Sequence, residues 1–153
     1  LAETIHTVLG RPPPPWFPHT FNVSAGELPA LVSYATRRAD RDKEATWIVK
    51  PWNLSRGLDI TVTRSLPAIC RLRDGPPKIV SEFVSHPALI DGRKFTLRFI
   101  VLVRSARPVQ AFIYKRFWPQ LANTPFSLQD LDEYESVFTV MNYRKGSKMR
   151  TVL

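Results

Sequence analysis

The feature that most constrains this chain is a pair of strand-like runs near its middle, KFTLRFIVLVRS from Lys94 and PVQAFIYKRF from Pro108. Both are rich in β-branched and aromatic residues, and Ala106, Arg107 and Pro108 form the break between them, which predicts an antiparallel hairpin. In the first run Phe95, Leu97, Phe99, Val101 and Val103 fall on one face, and Thr96, Arg98 and Arg104 on the other. A period of two therefore predicts one buried face and one cationic face. The second run alternates less cleanly, with Gln110 opposite its apolar neighbours.

Elsewhere the pattern mixes helix with strand. ELPALVSYATRRADRDK places Leu28, Leu31, Val32 and Tyr34 or Ala35 at helical spacing, with Ser24 and Glu27 near the start and a charged loop at the end. TWIVK is a short strand ending at Pro51, because proline donates nothing to a ladder. WNLSRG is a polar loop, and LDITVT returns as the second strand of a hairpin. SLPAICRLRDG predicts a two-turn helix with Pro67 near its start and Gly75 past its end, and KIVSEFV a strand running into a turn at Pro87. SLQDLDEYESVF predicts a helix capped by Ser127, with acids in its early turns. The fold class is α+β, an antiparallel sheet with packed helices.

The sequence has 153 residues, enough for one core, and carries a net charge of +9. That charge is uneven. Residues 1–46 hold five basic and five acidic side chains, and residues 47–153 hold seventeen and eight. A positive field of this kind attracts acidic protein tails, nucleotide phosphates or nucleic acid without separating them. Nucleic acid is disfavoured, since no RNP-type aromatic motif, Cys/His finger or continuous basic helix is present. No apolar stretch reaches the roughly 18 to 20 residues that cross a bilayer, so no membrane partner is expected. Cys70 is the one cysteine, read as a small core residue, and His6, His19 and His86 are too scattered for a metal or triad. The run RPPPPWFP reads as an extended polyproline spacer.

Chemistry concentrates at two places. Lys50 ends a strand and is followed by a polar loop, an arrangement in which an ammonium meets a phosphate oxygen beside backbone N–H groups. By itself this is a weak signal and matches no Walker pattern. Lys94 and Arg98 are four apart on a strand and share a face, able to balance a triphosphate or an acidic substrate; a solvated, aggregation-resistant edge is the alternative.

WIVKP, with Gly57 and Ile60 downstream, resembles the tryptophan–isoleucine…lysine–proline and glycine–lysine–glycine–isoleucine block of tubulin tyrosine ligase-like enzymes. HPALIDGRKFTLRFIVLV resembles their following block, and PVQAFIYKRFW with NTPFSLQDLDEYESVFTVMNY resembles the later strands. The resemblance spans residues 16–143, between a Pro-rich segment at 1–15 and a basic tail at 144–153. It implies an ATP-grasp-like fold, here expected to be incomplete at the C-terminus, and ligation of an amino acid to tubulin or another acidic protein through an acyl phosphate. It also implies ATP and Mg2+ as cofactors and a cytoplasmic setting, with microtubule association or a nuclear location as the alternatives. On this resemblance Lys50 contacts ATP phosphates and the loop through Gly57 covers them. Ser81, Glu82, Phe83 and Val84 form the hinge against adenine, and Lys94 and Arg98 line the phosphate and acceptor side, Arg98 as the candidate reaction-side contact.

Departures from the pattern point the other way. Leu58 and Asp59 replace the lysine and second glycine of the loop, and Ser81 and Glu82 stand where Gln and Lys are usual. Thr96 replaces an Asp and Gln120 an Arg. Asp59 beside a triphosphate repels it. No carboxylate or asparagine set for magnesium can be assigned beyond Tyr143. The expectation is a chain catalytically incompetent alone that acts by binding protein; an active ATP-dependent ligase within a longer product and a basic nucleic-acid binder are the alternatives.

Overall fold

In a computed structural model of the chain, residues 2–9, 13–39, 45–54 and 58–139 are described. Gly57, the charged loop after residue 39, the end of the FTVMNY block and the basic tail lie outside them. The chain divides into two compact units, residues 1–86 and 87–153.

The first unit begins with helix α1 (Ala2–Leu9), which the sequence reading does not anticipate. The proline run is not a simple extended spacer, because the Phe17 N–H closes a turn onto the Pro14 carbonyl at 2.9 Å. Strands β1 (Thr20–Asn22), β2 (Trp47–Pro51), β3 (Thr61–Thr63) and β4 (Lys78–Glu82) form an antiparallel sheet in the order β1-β4-β2-β3. The expected hairpin of β2 with β3 is present, pairing Trp47 with Thr63, although Leu58 and Asp59 belong to the turn and not to the strand.

Helices α2 (Leu28–Ala39) and α3 (Leu66–Cys70) cover one face of this sheet. Gly26, at φ +84°, turns the chain into α2, and the Glu27 carboxylate accepts the Asn22 N–H at 2.7 Å. Ser24 does not cap α2; its hydroxyl accepts the Lys78 N–H at 3.1 Å. Ser65 caps α3 by accepting from Ala68 N, and a 3-10 turn over Arg71–Asp74 completes the two turns expected. Phe21, Val23, Leu31, Ala35, Trp47, Val49, Ile69 and Val80 make the core. Cys70 is only half-buried, at the margin of that core.

In the second unit β5 (Leu89–Ile90), β6 (Arg93–Ala106) and β7 (Val109–Leu121) form a sheet in that order. Asp91 (φ +50°) and Gly92 (φ +72°) make the two-residue turn joining β5 to β6. Asp-Gly is a strong two-residue hairpin signal, and the positive φ at both residues is what it supplies here. The β6–β7 hairpin forms where expected, but its buried face does not: Leu97, Phe99, Val101 and Val103 are all 45% exposed or more. Two irregularities also break its period, between Phe99 and Val101 and between Val103 and Ser105.

The helix expected over Ser127–Phe138 shrinks to α4 (Tyr134–Val137). Ser127 accepts the Gln129 N–H and Asp130 accepts the Asp132 N–H, so these side chains stabilise local turns that compete with a helix. The base of the hairpin is nonetheless well fixed. Leu121, Ala122, Val137 and Phe138 are buried there, and Ala122 N–H donates to the Lys94 carbonyl at 2.8 Å.

Candidate functional site

Register decides which way each candidate side chain of the first unit faces. Lys50 pairs with Ile79, Ile48 with Ser81, Val49 with Val80, Trp47 with Glu82 and Pro51 with Lys78. Because alternate residues take opposite faces, Lys50 and Ser81 share one face, and Lys78, Val80 and Glu82 share the helix-covered face. Thus Lys50 and Ser81 are brought to one side, and the Glu82 side chain is turned away from them.

Lys50 is exposed, and among the described residues it has no ion-pair partner. Burial of its surroundings still lowers its ammonium pKa.

The hinge segment is built mostly from contacts within its own unit. The Ser81 hydroxyl shares a buried hydrogen bond with Thr20 Oγ1 at 3.0 Å. Glu82 N–H donates to the His19 carbonyl at 3.0 Å and Phe83 N–H to the Thr46 carbonyl at 2.9 Å. Phe83 is buried, whereas Val84 is exposed and, among the described residues, its backbone N–H meets no protein acceptor.

Glu82 is not the open negative charge that its place in the sequence suggests. Tyr34 OH donates to its Oε1 at 2.8 Å, and Arg38 Nη1 lies 2.9 Å from the same oxygen. Tyr34 and Arg38 are one helical turn apart on α2, so both reach the same carboxylate. Tyr34 also stacks on His19, with ring centroids 4.3 Å apart, and packs edge-on to Trp47. Burial, then the hydrogen bond to Glu82, pushes the Tyr34 phenol above its ordinary pKa. The signal for this cluster was the i, i+4 pair Tyr34/Arg38 on a helix opposite a β strand, which the sequence reading did not use.

Asp59 is likewise engaged. Its carboxylate forms an ion pair with the Nζ of Lys78, the buried first residue of β4. Asp59 sits at φ +53°, a conformation suited to glycine and tolerated by Asp, which explains how an Asp stands where the resembling family has a second glycine. The repulsion expected of a bare Asp59 is therefore corrected: its charge is met by Lys78, a residue that sequence reasoning missed.

In the second unit Lys94 and Arg98 lie on β6 and share a face as expected, with Thr96 between them. Thr96 faces Gln120 across the ladder, so two of the departures are direct partners, and its hydroxyl bonds Thr139 Oγ1 at 3.0 Å. Arg93 Nη1 donates to the Asn123 carbonyl at 2.8 Å, and Asn123 Nδ2 reaches Glu135 at 3.3 Å, bracing the hairpin base. Among the described residues no group of three or more His, Cys, Asp or Glu side chains converges as a metal site, and no helix is long and apolar enough to cross a membrane.

The profile of the Tubulin-tyrosine ligase family matches residues 1–152. The mouse (Mus musculus) tubulin--tyrosine ligase-like protein 12 is 47% identical over 148 residues, covering 94% of this chain and 23% of the mouse protein. The Caenorhabditis elegans protein of that name is 40% identical over 88% of this chain and 21% of its own length. A tubulin polyglutamylase of mouse, TTLL6, is 34% identical over 80% of this chain and 14% of its own. The chain thus spans about a quarter of the length of the first two of these relatives. With the profile running through both structural units, the chain belongs to the tubulin-tyrosine ligase family.

Proposed function

We propose that this chain is an ATP-grasp-type portion of a tubulin tyrosine ligase-like protein, catalytically incompetent alone, that acts by holding an acidic and partly apolar protein segment, with tubulin the first candidate. One observation carries this reading. From Arg93 to Leu121 the β6–β7 hairpin contains Arg93, Lys94, Arg98, Arg104, Arg107, Lys115 and Arg116 and no acidic residue. Between those cations Leu102, Val103, Phe112, Ile113 and Trp118 are exposed. Such a surface favours a partner that supplies carboxylates and side chains to cover apolar area. The names of relatives as tubulin modifiers support tubulin.

The residues fit a nucleotide only in part. Lys50 suits a phosphate oxygen and the Val84 backbone suits a polar ring edge. Leu58 brings no charge to the loop, and Asp59 is taken by Lys78. For magnesium, the described residues bring together no group of three or more His, Cys, Asp or Glu side chains.

The test is a titration of the chain with a Glu-rich peptide containing aromatic residues, beside its Gln counterpart, at low and high salt. Expected is binding of the Glu form alone, weakened severalfold as the Debye length falls from ~10 Å to ~3 Å. Equal affinity for both peptides, or tighter salt-sensitive binding of RNA, defeats the reading. A second reading, an ATP-dependent ligase when part of a longer polypeptide, is favoured by the relatives named polyglutamylase. Tight, magnesium-dependent thermal stabilisation by ATP decides for it.

A further inference from the structure

Among the described residues β7 is an edge strand. The order β5-β6-β7 leaves one side of it without a neighbour, and no backbone bond other than those of the β6 ladder reaches residues 109–120. In an antiparallel pair the residues of a strand alternately turn their N–H and C=O groups toward the partner and away from it. The outer side of β7 therefore presents a row of open donors and acceptors.

Much of that row is guarded. Phe99 faces Phe117 and Val101 faces Ile113, so the single residue Ile100 is opposed by Tyr114, Lys115 and Arg116, a bulge on β7 that carries two cations. Beyond the bulge Pro119 has no N–H to offer. Bulges, edge cations and proline are devices that keep sheet edges from pairing indiscriminately. They leave one stretch of β7 open, Val109–Ile113, which holds neither charge nor proline. At ~3.3 Å per residue it is ~17 Å long. Arg107 stands in the turn at one end, and Lys115 and Arg116 stand at the other.

Side chains around this stretch are apolar on both faces of the hairpin. Directly opposite residues share a face, so Val101, Val103, Ala111 and Ile113 lie on one and Leu102 and Phe112 on the other, all of them exposed. A strand laid along the edge widens both faces at once.

We propose that the acidic partner segment binds as an added β-strand on the outer edge of β7 at Val109–Ile113, its central residues apolar and its flanking carboxylates meeting Arg107 at one end and Lys115 and Arg116 at the other. This rests on the reading of the hairpin as a surface for an acidic, partly apolar segment, and adds where that segment lies and in what conformation. Main-chain pairing supplies affinity, and the cations at the two ends select the partner. A second copy of this chain is excluded by charge: pairing two such edges sets cations against cations in either strand direction. The outer edge of β6 is the lesser candidate, because β5 already pairs with its first residues, Arg93 and Lys94.

The experiment uses the full chain and a peptide with a β-branched centre between glutamates, in three forms: unmodified, and N-methylated at one or the other alternate set of its central amides. An added strand turns only one of those sets toward β7. Methylation of that set is expected to weaken binding about tenfold, as losing roughly two backbone hydrogen bonds implies, and methylation of the other set to leave it nearly unchanged. Residue-resolved amide exchange on the unmodified complex is expected to show new protection at alternate residues of Val109–Ile113. Equal effects of the two methylation patterns overturn strand addition and leave the acidic-segment reading standing. Protection on Phe99–Val103 in place of Val109–Ile113 overturns the assignment to β7. No binding of the unmodified peptide overturns strand addition and the acidic-segment reading together.

Discussion

The two sheets of this molecule use the same side-chain chemistry to opposite ends. In the first unit Trp47, Val49 and Val80 are 1%, 2% and 0% exposed, because α2 and α3 supply Leu31, Ala35 and Ile69 against them. In the second, Val101, Leu102 and Val103 are 52%, 63% and 61% exposed where the β6–β7 hairpin runs on as a ribbon beyond the short pairing of β5 with Arg93 and Lys94, and among the described residues the buried ones of this unit lie at its base. β-branched composition makes both into strands; only a second layer makes a core. Two strands without a covering layer are marginal by themselves, so these exposed residues contribute little to the stability of this unit and present apolar area to a partner.

The sharpest way to break that comparison is to truncate one residue of each kind. Trp47→Ala removes a fully buried indole and is expected to cost about 3–5 kcal/mol, read by urea denaturation. Phe112→Ser on the ribbon, where the ring is 54% exposed, is expected to cost under ~1 kcal/mol by the same measurement. Similar losses at both positions would show that the ribbon is covered in solution.

Legibility in the sequence follows the same division. The period of two and the break at Ala106–Pro108 located the hairpin, and Pro67 and Gly75 located α3, since these are local signals. Whether the Phe95–Val103 face would be buried depended on a layer that no local pattern encodes. The partners of the candidate acids were hidden for a related reason. Glu82 meets Tyr34 across 48 positions and Asp59 meets Lys78 across 19, and each acid alone reads only as a reversed charge. Lys50 was legible through its motif, and so was the shared face of Lys94 and Arg98, because neither needs a distant partner to be placed.

Charge separates the units next. Lys115→Glu with Arg116→Glu on the ribbon is expected to weaken binding of a Glu-rich peptide at least tenfold, at about 1 kcal/mol per partly exposed charge, while leaving the urea midpoint unchanged. Arg38→Glu in the first unit is expected to do the reverse, lowering stability by ~1–2 kcal/mol because a second acid then faces Glu82, with peptide binding intact. A stability loss from the ribbon pair would sink the assignment of those cations to contact.

Tyr34 gives the first unit a signature in alkali. Its pKa is raised by burial and by Glu82, so the folded state holds the phenol proton more tightly than the unfolded chain. That contribution to stability is full below the ordinary value of 10.0 and is lost as pH rises through the higher folded value. Tyr34→Phe is expected to flatten the fall in melting temperature above pH 10, at the expense of ~1 kcal/mol at pH 7 from the lost hydrogen bond to Glu82. An unchanged alkaline slope would place the titration elsewhere, with Tyr134, also raised by burial in the second unit, as the alternative carrier.

The smallest expected effect is also the one with the opposite sign. Lys50 has its pKa lowered by desolvation and no acid to compensate among the described residues, so its charged form is slightly disfavoured by folding. The penalty is present at neutral pH and is relieved as pH rises through the lowered folded value toward the ordinary 10.5. Lys50→Met is therefore expected to stabilise the chain, by no more than ~0.5 kcal/mol given how exposed the side chain is. The gain should shrink as pH approaches 10, which thermal melts of both forms from pH 7 to 10 measure directly. Triphosphate affinity of the same variant is the second readout. Destabilisation by Lys50→Met would mean that the lysine stem packs as part of the sheet, and the phosphate role would lose its physical motive.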